Sequence, residues 1–149
     1  MIGAKGLSRW LNLLLFQVGS KTGTRGPLFR VAASRARLME LLVVASGPAE
    51  DPAVKAEGET AFLVGILSLV HVLLGIERES AMADLSLPED MTAALLGKSG
   101  QIGRLLRLTE CLDTGEFAEV AEISAELSLS PHVLWEQQSE AFDWVMQMI

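Results

Sequence analysis

The apolar positions of this chain recur at helical spacing along most of its length, with no convincing alternating strand and no Asn-Gly hairpin turn. The first predicted helix covers about Ala4–Val18, and the run Gly19–Gly26 reads as a loop. Pro27 opens the second helix, since the first helical position loses nothing by lacking an N–H. That helix spans about Pro27–Ala45. Leu28, Val31, Ala32, Leu38, Met39, Leu42 and Ala45 form its apolar stripe, with Arg30, Ser34 and Arg37 opposite. Arg37 and Glu40 stand at the i,i+3 spacing of an ion pair. Gly47-Pro48 stops the helix, and a polar loop, Ala49–Gly58, is expected next.

A central helix is predicted over about Glu59–Gly75 and a short one over Glu77–Leu85. Ser86-Leu87-Pro88-Glu89 has capping-box spacing and opens a helix that ends at Gly97. The helix Gln101–Asp113 is expected to bury Ile102, Leu105, Leu106 and Leu112 and to turn Arg104 and Arg107 outward. After the break at Thr114-Gly115, Glu116–Leu127 should bury Phe117, Val120 and Leu127 and expose an acidic stripe of Glu119, Glu122 and Glu126. Ser130-Pro131 supplies an N-cap and a first-turn proline to the last helix. Leu134, Ala141, Phe142, Val145 and Met148 should be buried there, with Glu136, Glu140, Asp143 and Gln147 exposed. The expected fold class is all-α, a multi-helix bundle forming a single domain over residues 1–149.

Composition agrees: half of the 149 residues are hydrophobic and 21% charged, which excludes a disordered chain and allows a proper core. Two apolar runs need testing as membrane segments. Trp10–Val18 follows Lys5 and Arg9 like a signal peptide, yet it contains Asn12 and Gln17 and no clear cleavage site follows. Ala61–Ile76 is uncharged, but as a helix it would span only about 24 Å of a roughly 30 Å hydrocarbon core. A buried central helix is the expected role of this run.

The net charge of −7 is unevenly spread. Residues 1–45 hold seven of the twelve basic residues and one acid, Glu40, so the remainder carries −13. The basic section lacks interleaved aromatics and the whole chain is acidic, so nucleic acid is not an expected partner. Cys111, the single cysteine, lies among Leu106, Leu108 and Leu112 and reads as a small buried hydrophobe in a reducing compartment, without an intrachain disulfide.

Candidate chemistry is sparse. His71 sits in the apolar central helix and His132 in the first turn of the last helix, with no metal-ligand spacing around either. His71 is expected to pack in the core and His132 to lie on the surface. Gly97-Lys98-Ser99-Gly100 contains a Gly-Lys-Ser string, but a helix precedes it and the upstream glycine of a phosphate-binding loop is missing. The acidic stripes fall on faces read as solvated, where carboxylates stay ionised and idle. No catalytic, cofactor-binding or metal-ligating residue is therefore assigned, and no cofactor is expected.

Five stretches together carry a resemblance: Arg9–Leu15 (Arg-Trp-Leu-Asn-Leu-Leu-Leu), Arg35–Leu42, Ala61–Leu69, Leu85–Leu96 with its Leu-Pro-Glu start, and Gly103–Leu108. In their order and spacing they resemble the HDOD family, in particular the C-terminal portion found in bacterial EAL–HDOD signalling proteins. HDOD domains look like HD phosphohydrolases that have lost their metal site. In catalytic HD domains a stretch like Ala61–Leu67 leads into a His-Asp pair; here Ser68 and Leu69 stand in those places, and no histidine precedes His71. A hydroxyl and an isobutyl group cannot replace imidazole and carboxylate on a metal.

The resemblance implies a cytoplasmic, non-catalytic output module linked to cyclic-di-GMP signalling. Its expected partners are other domains of the same parent protein or separate signalling proteins, with a homodimer as a further candidate and no membrane. The N-terminal part of such a domain, and any EAL domain, is expected upstream of Met1. The alternative reading is a metal-dependent HD-type phosphohydrolase with a site displaced towards His71.

Overall fold

A computed structural model describes residues 27–48, 50–69, 72, 77, 79–80 and 87–148. Six helices make up the regular structure of these residues: α1 (Pro27–Ala45), α2 (Pro52–Leu67), α3 (Glu89–Gly97), α4 (Gly100–Thr114), α5 (Phe117–Glu126) and α6 (Pro131–Met148). They pack as an all-α bundle. α1 lies against α2, α4 and α6, and α4 carries α3 and α5 on its other sides. The predicted helix Ala4–Val18, most of Glu77–Leu85, and the residues Ser86 and His71 lie outside the described residues.

The bounds of α1 are those expected from Pro27 and Gly47-Pro48. α2 corrects the sequence reading at both ends. The stretch read as loop is helical from Pro52, because the Asp51 side chain accepts a hydrogen bond from the Ala53 amide at 2.9 Å and Pro52 occupies the first turn. The same helix ends at Leu67 rather than running on to Gly75, with Ser68 as its C-cap. Ser68 Oγ donates to the carbonyl of Gly65 at 2.7 Å, tying the cap back onto the last turn.

The capping box placed the N-cap of α3 at Ser86, with Glu89 in the third helical position; the helix instead begins at Glu89, with Pro88 as its N-cap and no side-chain bond there. Lys98 ends α3 in the left-handed conformation, and Gly115 does the same for α4, where the glycine at φ 78° carries no Cβ penalty. At α6 the Ser130 hydroxyl accepts from the Val133 amide at 3.2 Å, as its sequence position implies.

One core joins these helices. Met39 and Leu42 of α1 belong to the same buried cluster as Val64 and Leu67 of α2, Leu106 and Leu108 of α4, and Ile123 of α5. Every residue from Ala61 to Leu67 is buried, which is why that run is apolar all round. Gly65 lets the two backbones touch: a Cβ there would lie 2.5 Å from the Cα of Ala36. Phe62 meets the ring of Trp144 edge-on, and the Arg37 guanidinium covers Trp144 while pairing with Glu40.

Four side chains assigned to the core are not in it. Val31, Phe117 and Phe142 are exposed, because tertiary packing turns the buried arc of each helix away from them. Ala45 is exposed as well. Among the described residues no helix is long and apolar enough to cross a membrane.

Candidate functional site

Arg35 shares the inward face of α1 with Met39 and Leu42, and it is only 9% exposed. A buried guanidinium must find partners, since desolvating an unpaired charge is costly. Arg35 Nη1 donates to Ser68 Oγ at 3.0 Å, and Nη2 donates to Asp113 Oδ2 at 2.8 Å. One side chain thereby ties α1 to the C-cap of α2 and to the last turn of α4. The contact of Gly65 with Ala36 brings Ser68 within reach of the neighbouring Arg35. Arg35 Nε is buried without a hydrogen-bond partner. Asp113 is half exposed and sits at a helix C-terminus, where a negative charge is disfavoured, so Arg35 is what holds it there.

Above this arginine lies a cleft of about 350 Å³ between α1, α4 and α6. Arg30, Val31, Arg35, Asp113, Phe142 and Met146 are among its lining residues. The lining is largely apolar, with positive charge from α1 and one carboxylate from α4.

A second polar cluster joins α4 to α5. Arg107 Nε and Nη2 donate to the two oxygens of Glu119 at 3.0 and 2.8 Å, and Nη2 lies 3.7 Å from Glu116. Arg104 makes a matching two-bond contact with Glu126 at 3.1 and 3.0 Å. The acidic stripe read as solvated is thus, at two of its three positions, the complement of the two arginines read as facing out. The paired bonds from Arg107 hold the Glu119 carboxyl below the usual carboxylate range and raise Arg107 in turn.

Cys111 is buried as expected, and burial pushes its thiol up. Its sulfur lies within 4.8 Å of one oxygen each of Glu116 and Glu119. The sequence reading did not group these three, because the turn at Gly115 folds residues five and eight positions on back towards Cys111. The set suits a cation poorly. Its thiol is held protonated, and Arg107 already occupies Glu119.

His132 is exposed, 3.7 Å from Glu136. Lys98 of the Gly-Lys-Ser string donates to the Leu95 carbonyl at 3.1 Å and lies 3.5 Å from Glu110, so the string forms a helix-ending turn. Ser68 is the one residue singled out by sequence that lies at the centre of the polar geometry. Arg35 and Asp113, its neighbours there, were given no role.

No protein-family model matches the chain. No solved structure matches it significantly. Two curated proteins are similar. YuxH of Bacillus subtilis (strain 168), an uncharacterised protein, is 24% identical over 146 residues, covering 97% of this chain and 34% of YuxH. The cyclic di-GMP phosphodiesterase CdgJ of Vibrio cholerae serotype O1 is 29% identical over 117 residues, covering 78% of this chain and 26% of CdgJ. The chain therefore spans about a third or less of the curated relatives it matches.

Proposed function

We propose that this chain is a non-catalytic regulatory module of the HDOD type, working in the cytoplasm within a cyclic-di-GMP signalling protein. It would act through contacts with other domains of its parent or with separate signalling proteins. The similarity to CdgJ, a cyclic di-GMP phosphodiesterase, supports the pathway, and the match covers only a quarter of that protein, so its phosphodiesterase activity is not assigned to these residues.

The observation that carries the non-catalytic reading is the buried Arg35 on Ser68. By resemblance, residue 68 stands where catalytic HD domains place a metal-binding histidine. Here that position faces a fixed cation of the protein's own. A divalent ion about 5 Å from a guanidinium would meet a repulsion of about 6–7 kcal/mol at an effective dielectric of about 20. Coordinate bonds from one hydroxyl would not offset it. The guanidinium instead bridges α1 to Ser68 after α2 and to Asp113 of α4.

The test has two arms. Purified chain is incubated with Mn²⁺ or Mg²⁺ and either cyclic di-GMP or bis(p-nitrophenyl) phosphate, and no hydrolysis above the metal-only blank is expected. In the longer parent protein, deletion of this region should change the cellular cyclic-di-GMP response. Metal-dependent turnover by the chain, or a parent whose output is indifferent to the deletion, would contradict the proposal.

A further inference from the structure

Trp135, Phe142 and Met146 of α6 stand 68%, 61% and 51% exposed. Their spacings of seven and four residues put them on one stripe of the helix. Exposed Val31 of α1 faces this stripe across the cleft, whose lining includes Val31, Phe142 and Met146. A shallower depression continues the surface outward through Trp135, Phe142 and Asp143. Large apolar side chains gathered in this way on a folded domain mark a surface that is covered in use.

The charges on either side say by what. Arg30 borders the apolar strip on the α1 side, and Asp143 borders it on the far side of α6, with Glu140 further round the helix. None of these three charges has an ion-pair partner among the described residues. The face thus reads cation, apolar strip, anion. A surface ordered in that way is its own complement. Rotated by a twofold axis through the strip, the Arg30 edge of one copy lies over the Asp143 edge of the other, and apolar strip meets apolar strip.

We infer that the α1–α6 face, centred on Phe142, is the interface of a twofold homodimer. Each copy contributes Val31, Trp135, Phe142 and Met146 to the dry centre and exchanges Arg30–Asp143 pairs at the rim. The pairs also offset the mutual repulsion of two chains that each carry −7. The inference stands whether or not the chain is catalytic.

Sedimentation equilibrium on the whole chain tests it between about 1 and 200 µM. The mass should rise from the 16.1 kDa of the monomer towards twice that value. Phe142→Glu places a charge at the dry centre and should weaken association at least about tenfold. Its side chain is exposed, so the far-UV circular dichroism should match that of the parent chain. Arg30→Glu and Asp143→Arg should each weaken the dimer, and combining them should restore it, since the swapped pair is again complementary. A monomer over the whole range, or a dimer indifferent to Phe142→Glu, would overturn the inference. A charge-swapped double variant no better than the single variants would overturn the twofold arrangement. Association with a different protein by a strictly monomeric chain would do so as well.

Discussion

Removing the hydroxyl of Ser68 should damage this protein more than removing the arginine it serves. Ser68→Ala leaves the Arg35 guanidinium buried while deleting the acceptor 3.0 Å from Nη1. Nε is already without a partner, so the variant strands a second donor of the same charged group. An unsatisfied buried donor costs about 1–3 kcal/mol, with charged groups at the upper end, and we expect a loss of about 2–3 kcal/mol. Arg35→Met removes the charge and its donors together. Ser68 keeps its bond to the Gly65 carbonyl, and half-exposed Asp113 regains water. Replacing a buried charge by an apolar side chain of similar length is often close to neutral, so the change should lie within about 1 kcal/mol of the parent. With the arginine gone, Ser68→Ala should cost little more, giving a coupling of about 2 kcal/mol in the double-mutant cycle. Urea unfolding followed by circular dichroism reads this directly. With a slope of about 2 kcal/mol/M, Ser68→Ala should lower the midpoint by about 1 M. The reasoning is refuted if Ser68→Ala stays within about 0.5 kcal/mol of the parent, or if Arg35→Met is the costlier change.

Three further outcomes follow from the same structure. Gly65→Ala should cost about 3 kcal/mol or prevent folding, measured by thermal melting, because its Cβ would meet the backbone of Ala36 at 2.5 Å and neither helix can yield. Glu119 has a folded-state pKa below its unfolded value, so its contribution to stability is present above the ordinary carboxylate pKa of about 4.3 and is lost as pH falls through the lower folded value. Glu119→Gln should therefore flatten the fall in stability between about pH 5 and pH 3 in urea titrations, and an unchanged slope would contradict the pairing with Arg107. Cys111, buried and pushed towards the protonated form, should react with a thiol reagent at pH 8 at least about 100-fold more slowly in the native chain than in urea; equal rates would contradict its burial.

Much of the fold was legible where punctuation was strong. Pro27, Gly47-Pro48, Gly97 and Thr114-Gly115 set helix ends that the structure keeps. The start of α2 was missed although its signal, Asp51-Pro52, is of the same kind as the Ser130-Pro131 pair that was read correctly. The polar residues Lys55, Glu57 and Glu59 masked a helix whose first two turns lie at the surface and whose last two lie in the core. Periodicity placed Val31, Phe117 and Phe142 inside because it marks an apolar arc without saying which edge of that arc a neighbour covers. The polar centre was half legible. Ser68 stood out by its place after Ala61–Leu67, but Arg35 and Asp113 lie 33 and 45 positions away in sequence, and pairings at that range leave no local pattern. Arg104 and Arg107 could have been matched to Glu126 and Glu119, since two adjacent helices carried facing stripes of opposite charge.

The most direct test of the account is the metal content of the purified chain. It would be measured by inductively coupled plasma mass spectrometry after expression in medium enriched in manganese, iron and zinc. On the proposed reading, the buried guanidinium on Ser68 opposes a second cation at that position, and well under one tenth of an ion per chain is expected on that ground. About one ion per chain, lost on mutation of Ser68 or its neighbours, would contradict it.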